Sequence, residues 1–196
     1  MITIVDYGMG NLRNVQRGLA EVGYESRISP DPAIIRVAEK IILPGVGAFG
    51  EAMKRITDLK LREPIVEQVA GGIPLLGICL GMQLLFEESE ESPGVRGLDL
   101  LKGKVVKFLP GLKVPHVGWN DVASLRQSSL LDSQKAETFY FVHSFFAPVG
   151  EDTVGATEYG VTFSAAVQRG NVYGVQFHPE KSQHAGLSLL RRFASL

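Results

Sequence analysis

The sequence predicts an α/β protein: an open, mostly parallel sheet flanked by helices, with an antiparallel extension. Three observations carry this prediction. The chain opens with a strand–helix–strand pattern, residues 73–86 indicate a buried strand, a tight turn and a helix, and shorter alternating strands follow from Gly103 onward. With 196 residues and 45% hydrophobic content, the chain can bury one sizeable core, so we expect a single domain over residues 1–196.

The first half of the chain supplies the predicted parallel strands. The apolar run Ile2–Val5 predicts the first strand, and Asn11 is placed to cap a helix whose apolar residues recur at helical spacing until Gly23. The other elements predicted here are strands over residues 24–28 and 41–43, a turn over 30–32, and helices over 51–59 and 63–69.

The second half predicts the antiparallel extension. Its strands alternate apolar and polar residues and are joined by hairpin signals such as the turn at 168–171. We expect all of them to extend the parallel sheet, and we expect a closing helix over residues 186–193. The predicted strands cover residues 104–108, 112–117, 137–142, 153–157, 163–168 and 172–177.

The tight turn at the end of the 73–76 run carries the only cysteine of the chain, Cys79. The sequence Gly77-Ile78-Cys79-Leu80-Gly81 has the spacing of a nucleophile elbow, in which flanking glycines let a sharply turned backbone pass close to its neighbours. A helix starting at Leu80 and running through Phe86 would direct free N–H groups and its positive end at the sulfur, which favours the reactive thiolate. A buried structural cysteine is the alternative interpretation.

A cysteine nucleophile needs a base, and residues 174–180 supply one. His178 follows an apolar strand pattern, Pro179 restricts the backbone, and Glu180 stands two residues further on. These residue types provide a nucleophile, a base and a group that orients the base.

The loop at residues 44–50 is rich in glycine and follows a predicted strand. It lies at the carboxyl edge of the predicted sheet, where open sheets bind ligands, and it lacks the ending of a phosphate-binding loop. Beside an elbow, an N–H of this loop would complete an oxyanion hole with the N–H of Leu80. A purely structural turn remains the alternative.

The motifs GICLGMQ at 77–83 and QFHPE at 176–180, in this order, resemble the class I glutamine amidotransferases. This resemblance implies a flavodoxin-like fold of the class I glutamine amidotransferase type, no cofactor and no metal, and L-glutamine as the substrate. It implies Cys79, His178 and Glu180 as the catalytic triad and Val46 with Leu80 as the oxyanion hole. The implied substrate contacts are Gly47, Gln83, Glu91, His143, Ser144 and Phe145.

Longer motifs at residues 6–12, 44–49, 115–120 and 142–145 extend the resemblance over nearly the whole chain. They resemble the glutaminase subunits that act in histidine biosynthesis and form a heterodimer with a (βα)8-barrel cyclase, to which ammonia passes. The resemblance places Asn11, Asn14, Trp119 and Lys181 at or near this contact. Chemistry also favours a partner, because a glutaminase alone only consumes glutamine and one domain leaves no room for a synthetase. We expect the partner's ligand to activate the glutaminase allosterically.

The bulk composition excludes several function classes. A net charge of −1 gives no basic surface for nucleic acid, and no apolar run approaches the roughly 20 residues that cross a bilayer. One cysteine excludes an internal disulfide, and the first residues lack the features of a signal peptide, so we expect a cytoplasmic protein.

Three alternatives remain open from the sequence. The chain is a glutaminase subunit of another synthase, such as one for pyridoxal phosphate or anthranilate, a cysteine hydrolase acting on esters or peptides, or a catalytically inactive binding module. Taken alone, Gln83 is also typical of a solvated helix residue, and His116 and His143 are typical of structural histidines in aromatic strands.

Overall fold

A computed structural model describes residues 1–131 and 136–196 of the chain. Its helices are α1 (Leu12–Glu21), α2 (Pro32–Ile35), α3 (Phe49–Asp58), α4 (Arg62–Ala70), α5 (Leu80–Gln83) and α6 (Gln183–Ala194), with a 3₁₀ helix at Pro179–Lys181. Its strands are β1 (Ile2–Val5), β2 (Ser26–Ser29), β3 (Lys40–Gly45), β4 (Leu75–Cys79), β5 (Phe86–Ser89), β6 (Leu101–Lys107), β7 (His116–Ser124), β8 (Glu137–His143), β9 (Phe145–Phe146), β10 (Thr153–Glu158), β11 (Thr162–Arg169) and β12 (Val172–Val175).

The main sheet has nine strands in the order β2-β1-β3-β4-β12-β11-β10-β7-β8. Strands β2, β1, β3, β4 and β12 are parallel, and β11, β10, β7 and β8 continue the sheet in antiparallel pairs. The predicted α/β architecture and its antiparallel extension are therefore confirmed, including the hairpin between β11 and β12.

Two apolar layers enclose the sheet. One face packs against α1 and α6 through residues such as Leu19 and Leu190, and the other packs against α3 and α4 through residues such as Met53 and Ile65. The inner parallel strands β1, β3, β4 and β12 are buried on both faces, as expected for strands covered by helices, whereas the edge strand β2 is partly exposed. Within the described residues, no helix is long and apolar enough to cross a membrane.

The parallel register decides which residues meet at the carboxyl edge. In the pairing of β3 with β4, Gly45 lies opposite Cys79, and in the pairing of β12 with β4, Val175 lies opposite Ile78. The residue after β12, Gln176, therefore follows the strand on one side of Cys79, while the loop after Gly45 lies on the other side. Three segments that are distant in sequence meet at one point.

The predicted helix through Phe86 is wrong, because α5 ends at Gln83 and β5 begins at Phe86. The carbonyl groups that would continue the helix accept other donors. The N–H of Leu98 bonds to the carbonyl of Leu84, and the N–H groups of Leu100 and Leu101 bond to that of Leu85. Tertiary partners thus outweigh the apolar helical spacing.

Other predictions in the second half need correction. Strand β6, predicted at 104–108 in the main sheet, lies in a separate three-stranded sheet in the order β5-β6-β9. The strand predicted at 112–117 begins only at His116, because Pro115 has no N–H to donate to a strand ladder.

The first half differs at two helix starts. The predicted turn at 30–32 leads into α2, which Asp31 caps by accepting a hydrogen bond from the N–H of Ala33 at 2.8 Å. Asn11 does precede α1, but its side chain makes no capping hydrogen bond within the described part of the chain.

Candidate functional site

The elbow at Cys79 has the strained backbone that its sequence predicts. Cys79 has φ +56° and ψ −110°, a combination that non-glycine residues rarely adopt. A Cβ on Gly81 would lie 1.7 Å from the carbonyl oxygen of Leu43, and one on Gly77 would lie 2.6 Å from that of Gly81. Only glycine fits at these two positions, so β4, β3 and the turn are held in close contact around the cysteine.

The thiol of Cys79 is buried but lines a cavity of about 320 Å³. Its Sγ lies 3.7 Å from the carbonyl oxygen of Val142 and 3.7 Å from Nε2 of Gln176. The carbonyl of Val142 accepts a hydrogen bond from the thiol, and the side-chain N–H of Gln176 donates one to the sulfur. The sulfur therefore has a partner in both its thiol and its thiolate form.

His178 and Glu180 form a buried pair beside the same cavity. Nδ1 of His178 lies 2.8 Å from Oε1 of Glu180, and both side chains are about 98% buried or more. The carboxylate can only accept, so Nδ1 carries a proton and Nε2 faces away from Glu180. Nε2 has no hydrogen-bond partner among the described residues, which leaves it available to a reacting group.

The electrostatics of this pair favour an imidazolium. Burial by itself would lower the pKa of His178, but the side chains of Cys79 and Glu180 outweigh it and raise the pKa to about 10. The site thus brings together a cysteine thiol, an imidazole that holds its proton and an orienting carboxylate.

Backbone contacts hold His178 in place. Its N–H donates to the carbonyl of Tyr140 on β8 at 2.9 Å, and the hydroxyl of Ser182 donates to its carbonyl at 2.6 Å. The same hydroxyl accepts the N–H of Tyr140 at 3.0 Å. The backbone of the predicted base is therefore bonded to β8 on one side and to Ser182, the residue after the 3₁₀ helix, on the other.

The predicted oxyanion residues lie at the mouth of the site. Val46 and Gly47 follow β3, Gly47 has φ +100°, and both line the cavity with Leu80. Leu80 is the first residue of α5, so its N–H has no acceptor within the helix. The helix has only four residues, so its dipole is weaker than the sequence suggested, and the individual N–H groups matter more.

All six predicted substrate-binding residues line this cavity. Gln83 is buried and donates through Nε2 to the carbonyl of Phe145 at 2.9 Å and to Oε1 of Gln176 at 3.0 Å. Glu91 accepts the N–H of Phe49 at 2.7 Å, at the start of α3. The predicted residues around the cavity are Val46, Gly47, Cys79, Leu80, Gln83, Glu91, His143, Ser144, Phe145 and His178.

His143 has a second contact behind the cavity. Its Nδ1 lies 2.8 Å from the carbonyl of Phe145, and its Nε2 lies 3.0 Å from Nδ1 of His116. Burial lowers the pKa of both residues, that of His143 to about 3, so both rings are neutral near pH 7. The predicted structural role of these histidines agrees with these contacts.

The sequence interpretation overlooked Gln176 and Pro115. Pro115 lines the cavity, and Gln176 is fully buried against the sulfur. One signal for Gln176 was present: it is a polar residue at the end of an otherwise apolar strand, two positions before His178.

The predicted partner-contact residues lie near one another on an exposed face. Trp119 is 49% exposed and packs edge-on against Tyr140, with ring centroids 5.9 Å apart. Nζ of Lys181 lies 5.7 Å from the centroid of the same Tyr140 ring. Asn11 and Asn14 lie at the start of α1, which contacts the 3₁₀ helix carrying Lys181.

In the described residues, no group of three or more His, Cys, Asp or Glu is placed to bind a metal.

Comparison with known proteins shows the family. Residues 3–195 match the family model described as "Glutamine amidotransferase class-I". The chain is 48% identical over 197 residues to the imidazole glycerol phosphate synthase subunit HisH of Methanothermobacter thermautotrophicus, which covers 100% of this chain and 98% of that protein. It is 51% identical over 203 residues to the same subunit of Thermococcus kodakarensis, with 100% of both chains covered.

Solved structures show the same fold at lower identity. A crystal structure of a glutamine amidotransferase superposes with a TM-score of 0.79 at 19% identity, covering 100% of both chains. The structure of PurLQS from Thermotoga maritima superposes with a TM-score of 0.77 at 20% identity, covering 99% of this chain and 97% of that one. Because the family model matches residues 3–195 and the two relatives align over 98% and 100% of their length, this chain belongs to the class I glutamine amidotransferase family and, within it, to the imidazole glycerol phosphate synthase subunits HisH.

Proposed function

We propose that this chain is the glutaminase subunit of an imidazole glycerol phosphate synthase. It hydrolyses L-glutamine to glutamate and ammonia and passes the ammonia to a cyclase subunit, a (βα)8 barrel. The cyclase converts a phosphoribosyl intermediate to imidazole glycerol phosphate and an aminoimidazole carboxamide ribotide in histidine biosynthesis. The observation that carries the proposal is the strained Cys79 elbow in register with the strand that leads to the His178–Glu180 pair.

The proposed reaction begins with the Cys79 thiolate, which attacks the side-chain carboxamide carbon of glutamine. Negative charge develops on the carboxamide oxygen, where the N–H groups of Val46 and Leu80 are proposed to stabilise it. His178 gives its Nε2 proton to the departing nitrogen, so the carbon–nitrogen bond breaks, ammonia leaves and a γ-glutamyl thioester remains.

The second half of the reaction restores the enzyme. His178, now neutral, takes a proton from a water molecule that attacks the thioester carbon, and the carbon–sulfur bond breaks to release glutamate. Glu180 keeps Nδ1 of His178 protonated and the ring oriented in both halves. Both residues are buried, so bulk water has limited access to the pair.

The proposed partner surface contains Asn11, Asn14, Trp119 and Lys181. An exposed tryptophan supported by Tyr140 is typical of an interface anchor, since such residues carry a large share of binding energy. Through Tyr140 this surface connects to the backbone N–H of His178, so partner binding is linked by direct contact to the proposed base. We place the activity in the cytoplasm, where the single free thiol of the chain stays reduced.

The test measures ammonia release from glutamine by the chain alone and with a barrel cyclase plus its phosphoribosyl ligand. We expect low activity alone, strong stimulation by the loaded cyclase, and loss of both in Cys79→Ala. Activity that depends on Cys79 but ignores the cyclase would retain the glutaminase and reject the histidine pathway. Activity that survives Cys79→Ala would reject the proposed nucleophile.

A second experiment tests the proposed surface. Trp119→Ala should weaken binding to the cyclase by about 30-fold or more. Leu125→Ala is the matched control, because Leu125 is similarly exposed, at 53%, just beyond the other end of β7. Equal binding by the two variants, measured by calorimetry, would remove Trp119 from the interface.

A further inference from the structure

Gln176 is a buried polar side chain at the centre of the site that has no role in the proposed triad. It follows β12 directly, its exposure is 0%, and its Nε2 lies 3.7 Å from Sγ of Cys79. Buried polar groups are normally hydrogen-bonded, so the orientation of this amide decides whether its oxygen or its N–H faces the sulfur.

The orientation of this amide follows from a backbone carbonyl. The carbonyl oxygen of Phe145 can only accept, so the side-chain nitrogen of Gln83, 2.9 Å away, must donate to it. The same nitrogen lies 3.0 Å from the side chain of Gln176, which must therefore present its oxygen there. The nitrogen of Gln176 is then left to face the sulfur, and its N–H is a donor.

We propose that Gln176 is a further catalytic residue, whose side-chain N–H donates a hydrogen bond to the Cys79 thiolate. This inference rests on the proposed glutaminase function. A donor to the charged form of a group favours that form, and hydrogen bonds to charged groups are among the stronger ones. No bond to Gln176 forms or breaks during the reaction.

The hydrogen bond acts at two points of the proposed reaction. Before the first step it increases the fraction of Cys79 that is a thiolate. In the second step, the electron pair of the breaking carbon–sulfur bond returns to Sγ, where the N–H of Gln176 stabilises the departing thiolate. The acyl-enzyme in between carries no charge on sulfur, so the bond is weakest there.

Other titratable groups surround Cys79, directly or through a neighbour, and the test must separate their effects from that of Gln176. His178 and Tyr7 interact electrostatically with Cys79, Glu180 is paired with His178, and His143 lines the same cavity as the cysteine. All four remain in place when only Gln176 is changed. A change in the behaviour of the thiol can then be assigned to the amide.

The experiment uses the reaction of iodoacetamide with the thiol, measured against pH. Cys79 is the only cysteine, so the reaction reports one site, and the readout does not depend on glutamine hydrolysis. In Gln176→Leu we expect the midpoint of the pH profile to rise, with about tenfold less thiolate at a fixed pH below it. Gln176→Glu should raise it further, because a carboxylate in the same place repels the thiolate.

Gln168→Leu is the matched control. Gln168 is a part-buried glutamine on neighbouring β11, where its Oε1 accepts a hydrogen bond from Ser128 at 3.0 Å, away from the cysteine. This variant should keep the wild-type profile. Unchanged profiles in folded Gln176→Leu and Gln176→Glu would overturn the proposal.

A second experiment uses the wild-type protein, so it tests the proposal even if the Gln176 variants do not fold. In ¹⁵N-labelled protein, the side-chain amide resonances of Gln176 should shift with the same pH midpoint as the alkylation of Cys79. Amide resonances that do not move across that midpoint would overturn the proposal. Failure of wild-type ammonia release would instead reject the glutaminase function, so the two outcomes are distinguishable.

Discussion

The hydroxyl of Tyr7 donates a hydrogen bond of 2.8 Å to the carbonyl oxygen of Pro44, two residues before Val46. A Cβ on Gly45 would lie 2.4 Å from the same hydroxyl, so tyrosine and glycine fit each other at this position. Burial and the nearby Cys79 raise the pKa of Tyr7 well above its usual range, so the hydroxyl keeps its proton. Tyr7 therefore fixes the start of the proposed oxyanion loop.

Tyr7→Phe removes this hydrogen bond and leaves a buried carbonyl without its donor. We expect a loss of about 1–3 kcal/mol in the free energy of unfolding, together with reduced cyclase-stimulated ammonia release. Urea denaturation and the ammonia assay measure the two effects. Tyr24→Phe, at a half-buried position away from the loop, should change neither. Full activity and stability in Tyr7→Phe would show that the loop needs no such anchor.

Gly81→Ala should prevent stable folding. The new Cβ would lie 1.7 Å from the carbonyl oxygen of Leu43, and backbone atoms of a buried strand cannot move away as a flexible side chain would. We expect a loss of more than about 4 kcal/mol, in the range of severe core substitutions. Gly150→Ala is the control, because nothing lies within 4 Å of its new Cβ. Similar melting temperatures for both variants would contradict the close contact.

Glu180→Gln keeps the size of the side chain but removes its charge. The pKa of His178 should fall from about 10, because one of the charges that raises it is gone. We expect ammonia release to fall by about 10²- to 10⁴-fold, as when the orienting carboxylate of a triad becomes an amide. NMR titration of His178 checks the pKa, and exposed Glu63→Gln serves as the control.

The pairing of His178 with Glu180 also predicts how the free energy of unfolding depends on pH. His178 has a folded pKa above its ordinary value of about 6.5, so its contribution is complete below that pH and is lost as the pH rises towards about 10. The difference in unfolding free energy between wild type and Glu180→Gln should shrink across this window. A constant difference from pH 6 to 10 in urea denaturation would refute the coupling.

The lowered pKa of His143 predicts that the free energy of unfolding decreases as the pH falls into the acidic range. Burial lowers its pKa to about 3, so the unfolded chain binds a proton at this residue before the folded chain does. Stability should fall as the pH decreases from about 6.5 towards 3, by up to about 1.4 kcal/mol per pH unit for this residue. His143→Gln should flatten the slope, whereas His184→Gln, on the exposed start of α6, should leave it unchanged.

Much of the fold could be predicted from local patterns. Apolar runs marked β1 and β3, the Gly-x-Cys-x-Gly spacing marked the elbow, and Gln168–Asn171 marked a hairpin, because each of these signals lies within a few neighbouring residues. The short α5 and the small second sheet could not be predicted in this way, since contacts distant in sequence decide them.

In the candidate site, too, some features follow from local sequence and others depend on contacts between residues distant in sequence. Most of the residues that line the cavity were predictable, because they lie in motifs that resemble a known family, although Pro115 was missed. The amide chain from Phe145 through Gln83 to Gln176 was not predictable, because it joins residues 62 and 93 positions apart and depends on which atom of each amide faces its neighbour. Such directions are determined by packing and by the acceptor-only carbonyl, and no sequence spacing encodes them.

The central position of β12 has a consequence for the order in which the protein becomes active during synthesis. Gln176 is made 97 residues after Cys79, which corresponds to on the order of 5–20 seconds on a ribosome. Until β12 enters between β4 and β11, the elbow cysteine lacks its proposed base His178, and β4 presents an unpaired edge. The nascent chain therefore lacks the proposed triad, and the edge of β4 stays open to pairing with other strands until β12 is made.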